Sequence, residues 1–474
     1  MSYKWLFAIP VAVLAIVGGI LINDNLGHSP TKDVVGLINI DNSDQGTNWN
    51  KYPTYDITLS ETLNIYKSGT YNITGSLSDG SININATNGL VRIILDNVII
   101  ENSNGPAISC ISGDQLVIES KGVNYLKDGA NYSSSLDADI SGVIYSKADL
   151  FFTGDGSINI VSNYQDGIVS KDDLTIRSGS FNISSKDDGI RGKDSVRITG
   201  GNISIVAGAD AIKSTNETDN TKGYVYIENG TIKISCADDG IHATKYLIID
   251  NGDIQINKSY EGIEAPLITL NGGNISVTSS DDGINAGTGT STSNTPRPGG
   301  VMDADENCIV TINDGNIYVN SGGDGIDSNG YVYINGGVVV VDGPTNNGNG
   351  ALDAGLGFVV KGGKSIAIGS SGMAETFGND STINSISFYL SSVYPADSHI
   401  VVKNSSGDTI IEHTSAKTFS HIAVASSELM IGETYNIYIN NSSVGKVTLI
   451  STVTSNRNNN NGAGGPGGMM PGRR

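Results

Sequence analysis

The sequence predicts an all-β protein: a right-handed parallel β-helix of about 22 residues per coil with a small C-terminal β-sandwich-like cap. Three observations lead to this fold class. The 474 residues include 61 glycines, while helix-forming residues are scarce and β-branched residues are common. A short acidic phrase recurs at a nearly constant spacing, and within each period apolar residues alternate with polar ones.

The recurring phrase is an acidic residue, then Gly (once Ala), then Ile. Its acidic positions are Asp166, Asp188, Asp210, Asp239, Glu261, Asp282 and Asp324. Successive steps are 22, 22, 29, 22, 21 and 42 residues, and the two long steps contain polar insertions at 216–223 and about 285–302. A period near 22 residues corresponds to one coil of a solenoid.

Each coil also contains a corner flanked by alternating apolar residues, as in segments 196–205 and 247–256. Alternation with a period of two makes one strand face apolar, and a Gly at the corner supplies the positive φ of a sharp bend. Coils stacked at about 4.8 Å would join their inward Ile, Val and Leu into one core. A unit this short excludes a propeller, whose blades need four strands.

The organisation along the chain follows from these patterns. An apolar run after Lys4 is long enough to span a bilayer, and both a retained anchor and a cleaved signal peptide remain open; either one predicts export to the cell surface. Beyond about 365 the period disappears, and the chain ends in an Asn- and Gly-rich stretch. The predicted divisions are a signal or membrane anchor at 1–23, a linker at 24–54, the β-helix at 55–364, the cap at 365–454 and a disordered tail at 455–474.

The charge balance restricts the class of partner. With 49 acidic and 28 basic residues, the net charge of −21 argues against nucleic acid, which needs a basic surface. Excess carboxylate favours hard cations, and outside a cell calcium is the natural one, although solubility alone also explains such a charge. The three cysteines have no metal or disulfide spacing and are predicted to be buried thiols, and the five histidines show no metal-binding spacing.

The chain resembles the calcium-binding, β-helical carbohydrate-binding proteins of microbial cell surfaces, of the polygalacturonate- or cellulose-binding type, over about residues 55–450. The stretches that carry the resemblance are Tyr145-Ser-Lys-Ala-Asp-Leu150, Gly154-Asp-Gly-Ser-Ile158, Lys186-Asp-Asp-Gly-Ile-Arg-Gly-Lys-Asp194, Lys222-Gly-Tyr-Val-Tyr226, Lys417-Thr-Phe-Ser and Gly432-Glu-Thr-Tyr435. The resemblance implies a fold similar to pectate lyases and bound Ca²⁺. It also implies recognition, rather than cleavage, of plant polysaccharides that are chiefly polygalacturonate-like.

The repeated turns supply the candidate metal ligands. Carboxylates stacked coil on coil repel one another unless cations neutralise them, and calcium takes six to eight oxygen ligands. An alternative is that each Asp only caps its own turn through backbone N–H groups. The predicted calcium ligands are Asp166, Asp187, Asp188, Asp210, Asp238, Asp239, Asp281, Asp282, Asp324 and Asp327, with Glu261, Asp303, Asp305 and Asp353 as lesser candidates.

Basic and aromatic residues supply the candidate glycan contacts. Lysines and arginines follow successive acidic turns at similar offsets, so they line one face or, alternatively, only neutralise the neighbouring carboxylates. Tyrosines that alternate with inward Val and Ile offer rings on which sugars stack. The predicted ligand-binding residues are Lys171, Arg191, Lys193, Lys213, Lys245, Tyr224 and Tyr226.

Three functions compete on this evidence. The first is calcium-dependent, non-catalytic binding of an acidic polysaccharide at the cell surface. The second is a calcium-dependent polysaccharide lyase, in which Lys193 or Lys213 would be the base that removes a uronate proton. Against the lyase, similar Asp and Lys turns occur in several coils, whereas an active site is normally unique. The third is a structural surface adhesin with calcium as a staple.

Overall fold

The structure, a computed structural model, describes residues 36–38, 40–288 and 304–457, and it confirms the all-β class. Within these ranges the helices are a short α-helix, Ser43–Gly46, and a 3-10 helix, Trp49–Lys51. None of the described helices has the length and apolar character needed to cross a membrane. The predicted anchor at 1–23, Asp303 and residues 458–474 of the predicted tail lie outside the described residues.

Three parallel sheets, named A, B and C, run along the molecule. Sheet A contains Thr54–Leu59, the first part of Gly69–Leu77, Leu90–Asp96, Gln115–Lys121, Asp149–Gly154, Asp173–Ile176, Ser195–Ile198, Tyr224–Ile227, Tyr246–Ile249, Leu267–Leu270, Ile309–Ile312, Tyr331–Ile334 and Gly357–Val360. Sheet B contains Leu63–Ile65, Ile82–Asn85, Ile108–Ser112, Gly142–Ser146, Asp166–Ser170, Ile190–Gly192, Ile212–Ser214, Ile241–Ala243, Ile263–Glu264, Ile284–Ala286, Ile326–Ser328 and Leu352–Ala354. Sheet C contains the end of Gly69–Leu77, Ile99–Glu101, Val123–Lys127, Ser157–Val161, Ser180–Ser184, Asn202–Val206, Thr231–Ser235, Asp253–Lys258, Asn274–Ser279, Asn316–Ser321, Val338–Asp342 and Lys364–Gly369.

The register of these sheets is that of a parallel β-helix. In sheet B, Ile168 pairs with Ile190 and Ile190 with Ile212, so equivalent residues are 22 apart in the chain. One coil gives one strand to each sheet in the order B, A, C. The inward side chains of all three sheets form one continuous apolar core, in which Ile168, Ile190 and Ile212 are fully buried. The handedness of the coil remains a prediction.

Glycine is required at two kinds of place in each coil. Gly201 and Gly252, at the corner between sheets A and C, have φ of +101° and +129°, a region that other residues rarely adopt. In the acidic turn, a Cβ at Gly189 would lie 2.5 Å from the carbonyl oxygen of Ala211 in the next coil. The two glycines of the sequence pattern therefore meet different demands: backbone conformation at the corner and close approach between coils at the turn.

Part of the predicted linker packs on the outer face of sheet A. Ile38 joins an apolar cluster with Tyr224, Tyr226 and Ile248. The Asp44 carboxylate forms an ion pair with Arg177, 133 residues further along the chain. Residues 36–38 and 40–53, called the N-terminal segment below, therefore belong to the folded body.

The C-terminal residues close the last coil of the array. Strand Phe419–Ser426 pairs antiparallel with Lys364–Gly369, the last strand of the parallel array in sheet C. The remaining strands are Asn384–Tyr394 and Val453–Ser455, which extend sheet C, and His399–Lys403, Thr409–Thr414, Thr434–Ile439 and Ser442–Thr448, which form the antiparallel sheet D. A second apolar core joins this region to the end of the array through Ile366 and Ile368. The prediction of buried thiols is confirmed, because the three cysteines are all free and buried.

Candidate cation and glycan site

The acidic turns stack into a ladder at the start of the sheet B strands. The backbone N–H of Asp188 donates to the Asp166 carboxylate at 3.1 Å, that of Asp210 to Asp188 at 3.2 Å, and that of Asp239 to Asp210 at 2.9 Å. The same bond joins the N–H of Asp324 to Asp282 at 2.6 Å. These carboxylates therefore cap the turn of the following coil rather than their own turn. The acidic ladder comprises Asp166, Asp188, Asp210, Asp239, Glu261, Asp282 and Asp324.

A second row of side chains lies three residues after the ladder, in register from coil to coil. Its members change from basic to acidic along the array, and we call it the charge row. In order they are Arg191, Lys213, His242, Glu264, Asn285, Asp327 and Asp353.

In the first half of the ladder, from Asp166 to Asp239, the charge row neutralises the acidic side chains. Arg191 forms an ion pair with Asp166 and lies 3.6 Å from Asp188, and Lys213 forms an ion pair with Asp210. His242 Nδ1 lies 3.2 Å from Asp239 and 2.6 Å from Glu264. Burial opposes protonation of His242, but the hydrogen bonds to these two carboxylates prevail and raise its pKa to about 10. A cation is therefore already present at each of these turns.

In the second half of the ladder, carboxylates of neighbouring coils lie near one another with no basic side chain of the described residues between them. We call Glu261, Asp282, Asp324, Asp327, Asp353 and Glu375 the carboxylate cluster. None of them forms an ion pair with a described residue, and the carboxylate of Asp327, a residue only 8% exposed, accepts no hydrogen bond from the described residues. Burial and then mutual repulsion raise the pKa of Glu261 and of Asp327 to about 8 and that of Asp324 to about 7.

Several carboxylates form more compact groups, in which one ligand atom from each of three residues lies within 4.8 Å of the others. The predicted ligands form two such groups, Asp166 with Asp187 and Asp188, and Asp210 with Asp238 and Asp239. The oxygen atoms of the carboxylate cluster are more widely spaced. The remaining predicted ligand, Asp281, is partly buried and is hydrogen-bonded to Tyr260.

Two further compact groups were not predicted from the sequence. One is Asp239, His242 and Glu264; the other is Asp149, Asp172 and Asp173, at the corner between sheets B and A. The sequence does contain a sign of the second group, because Lys147-Ala148-Asp149 and Lys171-Asp172-Asp173 are similar and lie 24 residues, or one coil, apart. Lys222 forms ion pairs with Asp172 and with the neighbouring Asp194, which partly neutralises this group.

The predicted basic residues do not line a single face. Arg191 and Lys213 lie in the charge row, whereas Lys171, Lys193 and Lys245 follow the sheet B strands at the corner towards sheet A. Lys171 lies 3.9 Å from Asp139, and Lys193 is exposed. Lys245 donates to the carbonyl of Asp219 in the 216–223 insertion. The two sets differ in their distance along the chain from the acidic residue of the turn. Arg191 and Lys213 follow it by three residues, whereas the other three lysines follow it by five or six.

The predicted stacking tyrosines are not available at the surface. Tyr224 and Tyr226 point outward from sheet A, as their alternation indicates, but they are only 1% and 7% exposed. Ile38 of the N-terminal segment covers them, and the Tyr226 hydroxyl donates to Asp250. A contact so distant in the sequence could not be read from the local pattern of the strand.

Comparison with known proteins finds a family model, a relative and a solved structure that are similar to parts of this chain. A family model described as carbohydrate-binding domain-containing protein matches residues 60–295. A carbohydrate-binding domain-containing protein of Acetivibrio thermocellus is 33% identical over 128 residues, which are 26% of this chain and 45% of that protein. The chain thus spans less than half of the length of this relative. A solved structure, that of the polysaccharide lyase-like protein from C. thermocellum in a gadolinium derivative, covers 47% of this chain and 92% of its own at 29% identity, with a TM-score of 0.41.

Proposed function

We propose that this protein binds an acidic polysaccharide of the polygalacturonate type through calcium at the cell surface, without cleaving it. The observation that carries the proposal is the carboxylate cluster, which lacks cations among the described residues although the first half of the ladder has one at each turn. The family match over residues 60–295 supports carbohydrate as the ligand class.

Calcium suits this cluster better than a direct basic contact does. The ion takes six to eight oxygens at about 2.3–2.6 Å and accepts carboxylates, carbonyls and water together. Asp282, Asp324 and Asp327 come from two consecutive coils, and water and a sugar carboxylate would complete the coordination. The buried carboxylate of Asp327 has no other described partner, so a bound cation would stabilise its charged form.

An acidic glycan also needs local positive charge if it is to approach a chain of net charge −21. Calcium at the cluster would supply it at one end of sheet B. Arg191 and Lys213, on the sixth and seventh of the twelve strands of sheet B, would supply it near the middle of the sheet, because their side chains are 28% and 30% exposed although they are ion-paired. A polysaccharide running along the array could contact both.

The lyase alternative needs a neutral lysine beside a metal-bound uronate. Burial favours the neutral form of Lys213, but the hydrogen bond and charge of Asp210 prevail and raise its pKa. A lysine held protonated is a poor base near neutral pH. Lys193 is exposed and lies outside the charge row. These positions favour binding without cleavage.

The test is retention of the full-length protein on polygalacturonate, with calcium or with chelator, while the ultraviolet absorbance of unsaturated products is followed. We expect calcium-dependent retention, no absorbance rise, and binding about tenfold weaker for Asp327→Asn. Asp314→Asn is the matched control, since Asp314 is exposed and caps its own turn at Gly315. A steady absorbance rise would identify a lyase, and absence of retention would leave the structural adhesin.

A further inference from the structure

A concave surface lies on the outer face of sheet C, away from the acidic ladder. It is an open groove of about 310 Å³ that crosses strands Asp253–Lys258, Asn274–Ser279 and Asn316–Ser321. The residues that line it include Asp253, Gln255, Asn274, Ser276, Asn316 and Tyr318.

The depression results from a short side chain between two long ones. Gln255, Ser276 and Tyr318 are register partners in three successive coils, so they stand in one line. Ser276 leaves a gap between the amide of Gln255 and the ring of Tyr318. The groove is thus part of the folded sheet and needs no loop to close it.

The Tyr318 ring is fixed by the C-terminal region. Its hydroxyl donates to the fully buried Asp342 carboxylate at 2.8 Å, and His413 Nε2 lies 2.9 Å from the same carboxylate. The backbone N–H of Ala416 also donates to Asp342, at 3.3 Å. A preorganised aromatic wall of this kind costs little entropy when a ligand stacks on it.

The other wall of the groove is polar but carries no cation. Asp253, Asn274 and Asn316 are exposed register partners, and the Asn316 amide donates to Asn274 at 2.9 Å. Each amide has two donor hydrogens and an acceptor oxygen, so both keep hydrogen-bonding capacity towards solvent. The described lining contains no Lys, Arg or His, and the Asp253 carboxylate would repel a uronate.

We propose that this groove binds a neutral, hydroxyl-rich glycan segment without calcium. The paired hydroxyls of the sugar would bond to the carboxylate and amides, and one sugar face would lie on Tyr318. The site is separate from the calcium-dependent surface of sheet B, so the protein would engage two chemically different glycan segments at once. The proposal extends the proposed function but does not need the calcium site.

The test measures binding of the full-length protein to soluble galactan, arabinan and β-glucan in chelator, by affinity electrophoresis and calorimetry. We expect binding to at least one of them, weakened about fivefold or more by Asn274→Ala and by the groove-filling Ser276→Arg. Asn202→Ala is the matched control, because Asn202 is exposed in the same row three coils before Asn274, outside the groove. Melting temperatures establish that the variants remain folded.

Two results would overturn the proposal: no binding to any of the three neutral glycans, or binding that the groove variants leave unchanged. Calcium-dependent retention on polygalacturonate is measured in parallel. The groove variants should leave it intact, and Asp327→Asn should weaken it alone. Failure of one site can therefore be distinguished from failure of the other.

Discussion

Aspartates of one repeated motif differ mainly in what neutralises them. Asp210 is 1% exposed and forms an ion pair with Lys213, and its carboxylate also caps the turn of Asp239. Asp327, in the charge row of the second half, is 8% exposed, and the charges that act most strongly on it are carboxylates, while its register partner Asn285 donates to Glu261 instead. A buried carboxylate with a partner stabilises the fold, whereas one without a partner costs free energy unless it is protonated or binds a cation.

This difference predicts opposite effects of the same substitution in calcium-free protein. Asp327→Asn removes repulsion and should raise the free energy of unfolding by about 1 kcal/mol. Asp210→Asn leaves Lys213 without its partner and should lower it by about 1–3 kcal/mol. Urea denaturation in chelator measures both. If Asp327→Asn were as destabilising as Asp210→Asn, Asp327 would have a structural role and the cation proposal would lose its main support.

His421 makes stability depend on pH in the C-terminal region. It is 3% exposed, and its Nε2 lies 2.9 Å from the hydroxyl of Ser387. Burial, with a further contribution from the charge of Arg457, lowers its pKa to about 3. The unfolded chain, with a pKa near 6.5, therefore binds the proton more readily than the folded one. The contribution of His421 is complete above pH 6.5 and is lost as the pH falls towards 3.

Unfolding measured at several pH values should show this contribution declining by about 1.4 kcal/mol per pH unit below 6.5. The raised pKa values of the carboxylate cluster act in the opposite direction, since those groups gain stability on protonation. The informative quantity is therefore the difference between the native protein and His421→Gln. An unchanged pH slope in His421→Gln would show that His421 does not control it.

At the scale of elements, local patterns predicted the strands but not what covers them. Alternation of apolar residues located the strands, and the acidic phrase located the turns of sheet B, because both depend on neighbours in the chain. The burial of Tyr224 and Tyr226 depends on Ile38, far away in sequence. The sequence shows that the residue three positions after each acidic turn changes from basic to acidic along the chain. That these residues are neighbours in one row, and so neutralise or repel one another, became clear only from the register of sheet B.

The N-terminal segment should be a stabilising element. Asp44 and Arg177 have side chains that are only 10% and 13% exposed, so their ion pair is largely shielded from water. Asp44→Asn should lower the free energy of unfolding by about 1–3 kcal/mol and speed hydrogen exchange in strand Tyr224–Ile227. Asp56→Asn is the control, because Asp56 is exposed on an edge of the sheet and should change stability by less than about 0.5 kcal/mol. Equal exchange rates in native and Asp44→Asn protein would mean that the segment does not protect sheet A.

At the scale of the whole molecule, a solenoid distributes stability through contacts between adjacent coils. Burial of Ile, Val and Leu is nearly uniform along the array, whereas the balance of charge is not. In the first half of the ladder, Arg191 and His242 form ion pairs between adjacent coils and Lys213 forms one with Asp210 of its own coil, whereas the coils of the carboxylate cluster have repulsion in the same position. Without a bound cation, the coils of the carboxylate cluster should therefore be less stable than the coils of the first half of the ladder.

This asymmetry gives a prediction for calcium. The ion should stabilise the protein by about 2.7 kcal/mol at a concentration one hundred times its dissociation constant. Hydrogen exchange with and without calcium should show new protection in strands Ile284–Ala286 and Ile326–Ser328 and little change in Ile190–Gly192. Asp327→Asn should abolish the protection. Protection centred on Ile190–Gly192 instead would place the ion among Asp166, Asp187 and Asp188, and would mean that the existing Arg191 ion pairs give way to calcium rather than excluding it.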